Sequence, residues 1–445
     1  MSVLTRVRQT NGETDLAARR WGRMRSQIRE SLVERLGYRQ IARIAEGEDA
    51  NRSRAELGVS IAAIMNEGDY SALSLTERNA MTREVIDDIV GLGPLESFMN
   101  DDAVSEVMVN GTNSLFYESR GKLHQAQRVF ESDEQVRAAI DRIIAPLGRR
   151  IDEQSPIVNA RLKNGYRVNA VIPPIAIDGP VVTIRKFSNR IASLDELVGV
   201  GSIPPWYAWL LGVAVRARQN IAVVGGTGSG KTTLLNALSC EIDPQERIIT
   251  IEDSAELKFT RHPHVVRLEA RAASIEGRGE VTIRDLVVNS LRMRPDRIVV
   301  GEVRSGEAID MLQAMNTGHD GSMTTLHAGN AREAVLRLVM MARIGIDLPA
   351  SVIKGQIATA LDLIVTMRCL PDGTRVVGDA CVVPTGPEEE VELERAVSFD
   401  EGGRTWALER EPAFVGEALR RGVVSQEEVG RWRESLSGSR APSRR

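Results

Sequence analysis

The sequence predicts an α/β protein: a helical N-terminal region and an α+β domain, followed by a phosphate-loop domain with a mostly parallel sheet. Three observations favour this fold class. A glycine-rich phosphate-loop motif occupies residues 225–232. From about residue 204 onward, short apolar runs alternate with helical segments, as in a parallel sheet covered by helices. The first 90 residues carry the apolar spacing of amphipathic helices.

Residues 1–90 are predicted to form the helical region. The apolar positions at three- and four-residue spacing are Trp21, Met24, Ile28, Leu32 and Leu36. The arginines on the same segment are Arg19, Arg20, Arg23, Arg25 and Arg29. This pattern fits either a helix that docks on a membrane or partner, or the solvated face of a small helical bundle, and we favour the bundle. Ser74 followed by Glu77 predicts a capping box at a later helix.

Residues 91–186 are predicted to form the α+β domain. Its elements in order are strands over 104–109 and 114–117, a helix over 132–147, and strands over 166–172 and 181–185. Asn110 and Gly111 supply the turn of a hairpin between the first two strands. Residues 187–203 are predicted to be a mobile linker to the next domain.

Residues 204–384 are predicted to form the phosphate-loop domain. Its strands are expected over 220–224, 248–251, 298–300 and 323–326. The segment 385–445 turns acidic and then ends in a run rich in serine and arginine, and we expect it to be partly disordered.

Bulk properties exclude several classes of protein. The net charge of −4 over 445 residues argues against a nucleic-acid-coating role. Three scattered cysteines indicate a reducing compartment and cannot build a four-cysteine zinc site, so no structural zinc is expected. No secretory signal is visible, and the longest apolar stretch, 203–215, is too short to span a bilayer. We therefore expect a cytoplasmic protein that reaches membranes only peripherally or through a partner.

The motif Gly-Gly-Thr-Gly-Ser-Gly-Lys-Thr has the strand before it and the helix after it that a phosphate loop requires. Its glycines let the backbone curl so that N–H groups point at phosphate oxygens. Lys231 can reach the β- and γ-phosphates, and the Thr232 hydroxyl can ligate Mg²⁺. The predicted nucleotide-binding residues are Gly225, Gly226, Thr227, Gly228, Ser229, Gly230, Lys231, Thr232 and Thr233. The chain therefore binds a nucleoside triphosphate.

Three further strands end in polar residues at the same predicted edge of the sheet. Glu252, with Asp253 and Glu256 close behind, follows the second strand, Glu302 follows the third, and His327 follows the fourth. Phosphoryl transfer to water needs one carboxylate for the Mg²⁺ hydration shell and another for the attacking water. A histidine beside the γ-phosphate can sense whether that phosphate is present.

Four segments together resemble the boxes of the secretion ATPases, the hexameric motors of type II and type IV secretion and of type IV pili. These are Gly-Gly-Thr-Gly-Ser-Gly-Lys-Thr-Thr, Ile-Thr-Ile-Glu-Asp-Ser-Ala-Glu, Arg-Met-Arg-Pro-Asp-Arg-Ile-Val-Val-Gly-Glu-Val-Arg-Ser-Gly-Glu-Ala and Asn-Thr-Gly-His-Asp-Gly-Ser-Met-Thr-Thr-Leu-His-Ala. The stretches 152–169 and 184–187 resemble the CpaF/TadA-type branch, which assembles tight-adherence (Flp) pili. The resemblance covers about residues 85–370.

The resemblance implies a PAS-like N-terminal domain, a RecA-like ATPase domain, and ATP with Mg²⁺ as ligands. It implies that Glu252 activates water, that Glu302 holds Mg²⁺ through water, and that His327 is the histidine of the last box. It also implies that Arg167 and Arg185, with Arg161 third, reach the phosphates. Asp253 and Glu256 leave open which carboxylate activates water.

The same resemblance implies a homohexamer on the cytoplasmic face of the inner membrane, with ATP lying between the two domains and clamping them. Its implied partners are inner-membrane pilus platform proteins, with pilin subunits contacted indirectly. Two departures stand out: the four-cysteine zinc module of the general-secretion branch is missing, and Ser305 replaces a glycine.

Three alternatives remain open from the sequence. One is a traffic ATPase of a type IV secretion system, which shares all four boxes. Another is a nucleotide-gated scaffold with little hydrolysis, against which Glu252 and Glu302 speak. The third is a nucleic-acid translocase, which the lack of a basic stripe interleaved with aromatic residues disfavours, so no nucleic acid is expected as a partner.

Overall fold

The computed structural model describes residues 3–45, 50–112, 114–119, 122–162, 164–186, 193–259, 261–271, 279–384 and 391–437. The chain divides into two compact units, Met1–Ser188 and Asn189–Arg445. Each unit contains its own sheet. This boundary falls inside the segment predicted to link two domains.

The N-terminal unit begins with helices α1 (Val3–Leu36), α2 (Tyr38–Ala45), α3 (Ala50–Glu67) and α4 (Leu75–Ile89). The apolar stripe of α1 lies inside this bundle, because Ile28 and Leu32 are fully buried against residues of α3 and α4. The bundle interpretation is therefore the one that the packing supports. The predicted capping box also forms, with the Ser74 hydroxyl accepting from the Glu77 N–H and the Glu77 carboxylate accepting from the Ser74 N–H.

Arg25 is buried in the structure, whereas Arg20 and Arg23 on the same helix are exposed. Its side chain pairs with Glu84 at 3.0 Å, Asp88 at 3.2 Å and Glu131 at 2.6 Å. Those partners come from α4 and from the segment before the next long helix, so no local pattern could identify them. A buried guanidinium is tolerated when several carboxylates compensate its lost hydration, as they do here.

The α+β part of this unit contains α5 (Glu96–Met99), β1 (Val104–Asn110), β2 (Ser114–Ser119), β3 (Lys122–Gln125), α6 (Asp133–Ile144), β4 (Ile157–Arg161), β5 (Arg167–Val171) and β6 (Val181–Arg185). The six strands form one sheet in the order β3-β2-β1-β6-β5-β4, and every pairing is antiparallel. The hairpin turn at Gly111 has φ +65°, as its sequence predicted. Strand β3 escaped prediction because all of its residues are exposed, so it shows no apolar alternation.

The described residues of the C-terminal unit form eighteen helices and strands. They are α7 (Leu194–Gly199), α8 (Pro205–Arg216), β7 (Ile221–Gly225), α9 (Lys231–Ser239), β8 (Ile248–Glu252), β9 (Val265–Glu269), α10 (Ile283–Ser290), β10 (Arg297–Val300), α11 (Glu307–Asn316), β11 (Met323–Leu326), α12 (Ala331–Gly345), α13 (Ala350–Ala360), β12 (Leu363–Cys369), β13 (Arg375–Val382), β14 (Glu394–Asp400), β15 (Thr405–Leu408), α14 (Ala413–Arg420) and α15 (Gln426–Ser437).

These strands form a nine-stranded sheet in the order β15-β14-β13-β12-β7-β11-β10-β8-β9. Strands β12, β7, β11, β10, β8 and β9 are parallel, and β13 to β15 continue the sheet in antiparallel fashion. Alternate residues of β7 enter two different cores: Ile221 and Val223 pack into one, and Ala222 and Val224 into the other. Both faces of the parallel part are therefore covered, which confirms the predicted α/β class.

The longest apolar stretch of the sequence becomes the core helix α8. Nine of its twelve residues are buried, including Trp206, Tyr207 and Leu211. The apolar run therefore serves packing inside the C-terminal unit. Among the helices that the structure describes, none combines the length and the apolar character needed to cross a bilayer.

The predicted linker over 187–203 differs from the structure in its described part. Residues 187–192 lie outside the described residues. From Ser193 onward the chain forms α7, whose N-terminus is capped by the Ser193 hydroxyl and whose Leu194 and Leu197 are buried in the C-terminal core. The described part of the predicted linker therefore includes a short helix packed on the C-terminal core, and its mobility stays a prediction.

The C-terminal segment, predicted to be partly disordered, is folded over its described residues 391–437. Residues 391–437 contain β14, β15, α14 and α15, and Phe414, Val415 and Trp432 are buried in the same core as α8. The Trp432 indole N–H donates to the Trp206 carbonyl at 3.0 Å. The anchors lie more than 200 residues apart in sequence, so composition alone could not predict this packing. Residues 385–390 and the serine- and arginine-rich end at 438–445 lie outside the described residues.

Candidate functional site

The phosphate loop connects β7 to α9 and sits directly against β12. A Cβ on Gly225 would lie 2.6 Å from the Met367 carbonyl oxygen and 2.5 Å from Ser229 Oγ, so only glycine fits there. Gly228 and Gly230 have φ of +69° and +98°, a region that other residues enter at a cost. The loop is therefore held in the curled conformation that its sequence predicted.

Lys231 folds back over this loop. Its Nζ donates to the carbonyls of Gly225 at 3.1 Å and Gly226 at 3.0 Å, and lies 3.5 Å from His327 Nδ1. The residue is 9% exposed, and burial lowers the pKa of its ammonium while the charge of Glu302 opposes that shift. The positive charge at the loop is thus offset by two carbonyl dipoles and by the charges of Glu302 and Glu256.

Glu302 and His327 come together beside Lys231, as the parallel sheet requires of residues at the carboxyl ends of neighbouring strands. Glu302 follows β10, His327 follows β11, and His327 Nε2 lies 2.8 Å from Glu302 Oε1. Burial, together with the charge of Lys231, lowers the pKa of the imidazole. A neutral His327 therefore stands between the lysine and the carboxylate near neutral pH.

Arg304 is a member of this cluster that the sequence analysis did not single out. Its guanidinium lies 2.6 Å from Glu302 Oε2 and 3.5 Å from Asp253 Oδ2, so it joins the ends of β8 and β10. The bond to Glu302 raises the pKa of Arg304. Its position two residues after Glu302 is the sequence signal that could have identified Arg304 as part of the site.

Glu252 is the most deeply buried carboxylate of the site, at 4% exposed. Its Oε1 accepts from the backbone N–H of Glu256 at 2.7 Å and of Leu257 at 2.8 Å, while no described residue gives Oε2 a hydrogen bond. Burial raises the pKa of this carboxyl to about 7, against the opposing effect of the two N–H bonds. Glu252 can therefore exchange a proton near neutral pH.

Burial of Glu252 should make the stability of the protein fall as pH rises. Between its ordinary pKa of 4.5 and about 7, the folded state retains a proton that the unfolded state has lost, so the free energy of unfolding decreases through that window. Glu252→Gln removes this cost and is expected to add up to about 3 kcal/mol at pH 8 and little at pH 5. Urea unfolding at both pH values measures the difference, with exposed Asp253→Asn as the control. An equal effect at the two pH values would contradict a shifted pKa.

The loop and its neighbours offer a cradle that fits a phosphate ester with its cation. Ser229 Oγ is buried and receives no hydrogen bond from a described residue, and Thr232 Oγ1 donates to Glu256 Oε2 at 3.3 Å. Among the described residues, no three or more His, Cys, Asp or Glu side chains are arranged to hold a metal by themselves. A cation at Thr232 therefore needs oxygen ligands from water or phosphate, which is how Mg²⁺ is usually bound.

The three arginines predicted to contact phosphate lie in one row across the N-terminal sheet. In the strand register Arg161 pairs with Arg167, and Arg167 pairs with Arg185, so the three occupy neighbouring positions on β4, β5 and β6. Cross-strand partners share a face of the sheet. Arg185 also lies 3.9 Å from Glu106 on β1. Like charges placed directly opposite one another repel, and an anion bound between them would relieve that repulsion.

Arg375 is a second residue that the sequence analysis missed. It opens β13, and its Nε donates to the Gly228 carbonyl at 2.7 Å. It lies 147 residues from the loop in sequence and belongs to no motif, so only the pairing of β13 with β12 reveals it.

Comparison with known proteins adds to this geometry. Residues 88–401 match the model of the family described as Type II/IV secretion system protein. A putative conjugal transfer protein of Mycobacterium tuberculosis (strain H37Rv) is 38% identical over 314 residues, which cover 69% of this chain and 89% of that protein. The type IV secretion system protein PtlH of Bordetella pertussis is 35% identical over 305 residues, which cover 62% and 89%. The crystal structure of the VirB11 ATPase from the Brucella suis type IV secretion system is similar at 30% identity and a TM-score of 0.37, covering 66% of this chain and 97% of that one.

Proposed function

This chain belongs to the type II/IV secretion system protein family, and we propose that it is a hexameric motor ATPase that powers assembly of tight-adherence (Flp) pili. The observation that carries the ATPase part is the convergence of Lys231, His327 and Glu302 beside a correctly curled phosphate loop. Four neighbouring strand ends supply a charged donor, two ionisable acids and an imidazole within one small site. That set is what ATP hydrolysis requires.

Lys231 contributes a charged donor to ATP binding in this proposal. In the structure its ammonium is satisfied by two neutral carbonyls of the loop. The β- and γ-phosphates offer charged acceptors, which form stronger hydrogen bonds than carbonyls. Lys231 therefore exchanges Gly225 and Gly226 for phosphate oxygens, while the loop N–H groups and the N-terminus of α9 face the same anion.

Thr232 and Glu302 hold Mg²⁺ in this proposal, Thr232 through its hydroxyl and Glu302 through water. When bound, Mg²⁺ neutralises charge that develops on the phosphates during transfer. The Thr232 hydroxyl, which donates to Glu256 in the structure, would hold the cation in place of that bond. Arg304 donates to Oε2 of Glu302 at 2.6 Å, and His327 Nε2 lies 2.8 Å from Oε1.

Glu252 is the group that accepts a proton from the attacking water in this proposal. Its pKa of about 7 matches the operating pH of a general base, and its Oε2 is the oxygen without a described partner. We favour Glu252 over Glu256 because Glu252 is the carboxyl that burial gives a pKa of about 7. His327, held between Lys231 and Glu302, is placed to respond when the γ-phosphate arrives or leaves.

The row of Arg161, Arg167 and Arg185 supplies further phosphate contacts in this proposal. Its support is the shared register of the three residues across β4, β5 and β6. Guanidinium groups recognise phosphate through paired hydrogen bonds and can stabilise charge in the transition state.

The assignment to pilus assembly is more specific than the family assignment, and it depends on the sequence resemblance over 152–169 and 184–187. The proposed partners are inner-membrane platform proteins, with pilin subunits contacted indirectly, and the proposed location is the cytoplasmic face of the inner membrane. A traffic ATPase of a type IV secretion system is the second candidate. The names of the Mycobacterium and Bordetella relatives favour it.

Genetic complementation tests the pilus proposal. Deletion of the gene is expected to remove surface pili while pilin remains in the membrane, because assembly has lost its energy source. A Lys231→Ala copy at normal abundance should fail to restore pili, whereas Lys122→Ala, an exposed lysine on β3, should restore them. Electron microscopy of the cell surface and immunoblots of membranes give the two measurements.

Other outcomes select the alternatives. Restoration of pili by Lys231→Ala indicates a nucleotide-gated scaffold. Loss of protein or DNA export with intact pili indicates the type IV secretion candidate instead.

A further inference from the structure

Arg375 contacts the phosphate loop at different residues from those that Lys231 contacts. Its Nε donates to the Gly228 carbonyl at 2.7 Å, and its Cδ lies 3.6 Å from the position of a Cβ on Gly230. The side chain therefore runs along the loop over residues 228–230. No motif places an arginine here, and no catalytic role accounts for it.

The contact fixes the direction of one peptide group. In a trans peptide, the C=O of one residue and the N–H of the next point in opposite directions within a plane. With its oxygen engaged by Arg375, the peptide between Gly228 and Ser229 directs the Ser229 N–H the other way, across the loop. There it makes a long bond of 3.4 Å to the Gly226 carbonyl, which a phosphate oxygen can readily replace.

The charge of the guanidinium also strengthens that N–H. A carbonyl that accepts from a cation polarises its peptide group, so the N–H of the same group becomes a better donor. A neutral donor at this position orients the peptide equally well but polarises it less.

The backbone of Arg375 is itself held in place. The Ser202 hydroxyl donates to the Arg375 carbonyl at 2.8 Å, and the Ser202 carbonyl accepts from the Val377 N–H at 2.9 Å. Cys369 on β12 pairs with Arg375 in the strand register. The guanidinium is thus presented from a fixed strand end on which the residues after α7 also pack.

We propose that Arg375 is a positioning residue for phosphate binding: it orients and polarises the 228–229 peptide so that the Ser229 N–H donates to nucleotide phosphate. This rests on the proposed function, that the loop binds a nucleotide. Because Arg375 contacts the loop backbone, it should act on the binding of ADP and ATP alike. Its loss should raise KM while leaving kcat at saturating ATP nearly unchanged.

Calorimetric titration of the full-length protein with ADP tests this role. Arg375→Ala is expected to weaken ADP binding on the order of tenfold, and Arg375→Gln to an intermediate degree, because glutamine offers only a neutral donor. Arg375→Lys, which retains a charged donor, should recover most of the affinity. Arg404→Ala is the control. Arg404 lies between β14 and β15, and its guanidinium pairs at 2.6 Å with Asp372 in the turn between β12 and β13. This variant should bind ADP like the wild type.

Different results would contradict the positioning role of Arg375 and the proposed nucleotide binding. Wild-type affinity in both Arg375→Ala and Arg375→Gln overturns the positioning role, as does a fall in kcat with KM unchanged. Failure of the wild-type protein to bind ADP defeats the proposed function itself. Ser202→Ala gives an independent check, since loosening the Arg375 backbone should weaken ADP binding about two- to threefold through loss of one neutral hydrogen bond.

Discussion

Glu302→Gln is expected to retain ATP binding and to lose at least about 100-fold in turnover. Glutamine keeps the shape of the side chain and one acceptor oxygen, so the cluster around His327 and Arg304 can persist. It removes the negative charge that holds the hydrated cation against the phosphates. The loss should therefore appear in kcat, and ATP affinity should change little.

Phosphate release in single- and multiple-turnover assays measures the chemical step, and titration with a fluorescent ATP analogue measures binding. Glu427→Gln, an exposed glutamate on α15, is the matched control for loss of one carboxylate. Hydrolysis by Glu302→Gln at the wild-type rate is incompatible with the proposed role of Glu302. Loss of both binding and turnover would instead indicate that Glu302 contributes to nucleotide binding and not specifically to the chemical step.

Arg185→Ala and Arg167→Ala are each expected to lower turnover on the order of 100-fold without lowering stability. Arginines that meet transferring phosphates commonly contribute factors of this size or larger. In the structure these residues stand opposite one another in strand register, an arrangement of like charges that costs rather than adds stability. Their removal should leave the thermal midpoint unchanged or slightly higher.

Steady-state hydrolysis and thermal unfolding of the same samples separate function from folding. Arg149→Ala, an exposed arginine after α6, is the control for loss of one positive charge in this unit. Wild-type turnover in both variants would show that the arginine row does not contact the transferring phosphates. A lower thermal midpoint with lower turnover indicates that the row supports the sheet instead.

The sequence by itself determined the chemistry of the loop and the strand ends. Gly225 to Thr232 form one continuous motif, and Glu252, Glu302 and His327 each follow a recognisable apolar strand. Parallel strands bring their carboxyl ends to one edge, so a local pattern sufficed to predict that Glu302 and His327 lie close together. Local caps, such as Ser74 with Glu77, were predictable for the same reason.

Tertiary structure alone decided the contacts made across long separations in sequence. Arg375 touches Gly228 only because β13 pairs with β12, and Arg161, Arg167 and Arg185 share a row only in one strand register. A shift of one residue would turn the side chains of a strand to the other face. The burial of Arg25 and the packing of residues 391–437 could not be predicted, because their partners lie in distant segments of the sequence. Such contacts depend on burial gained over the whole fold, which short sequence patterns do not encode.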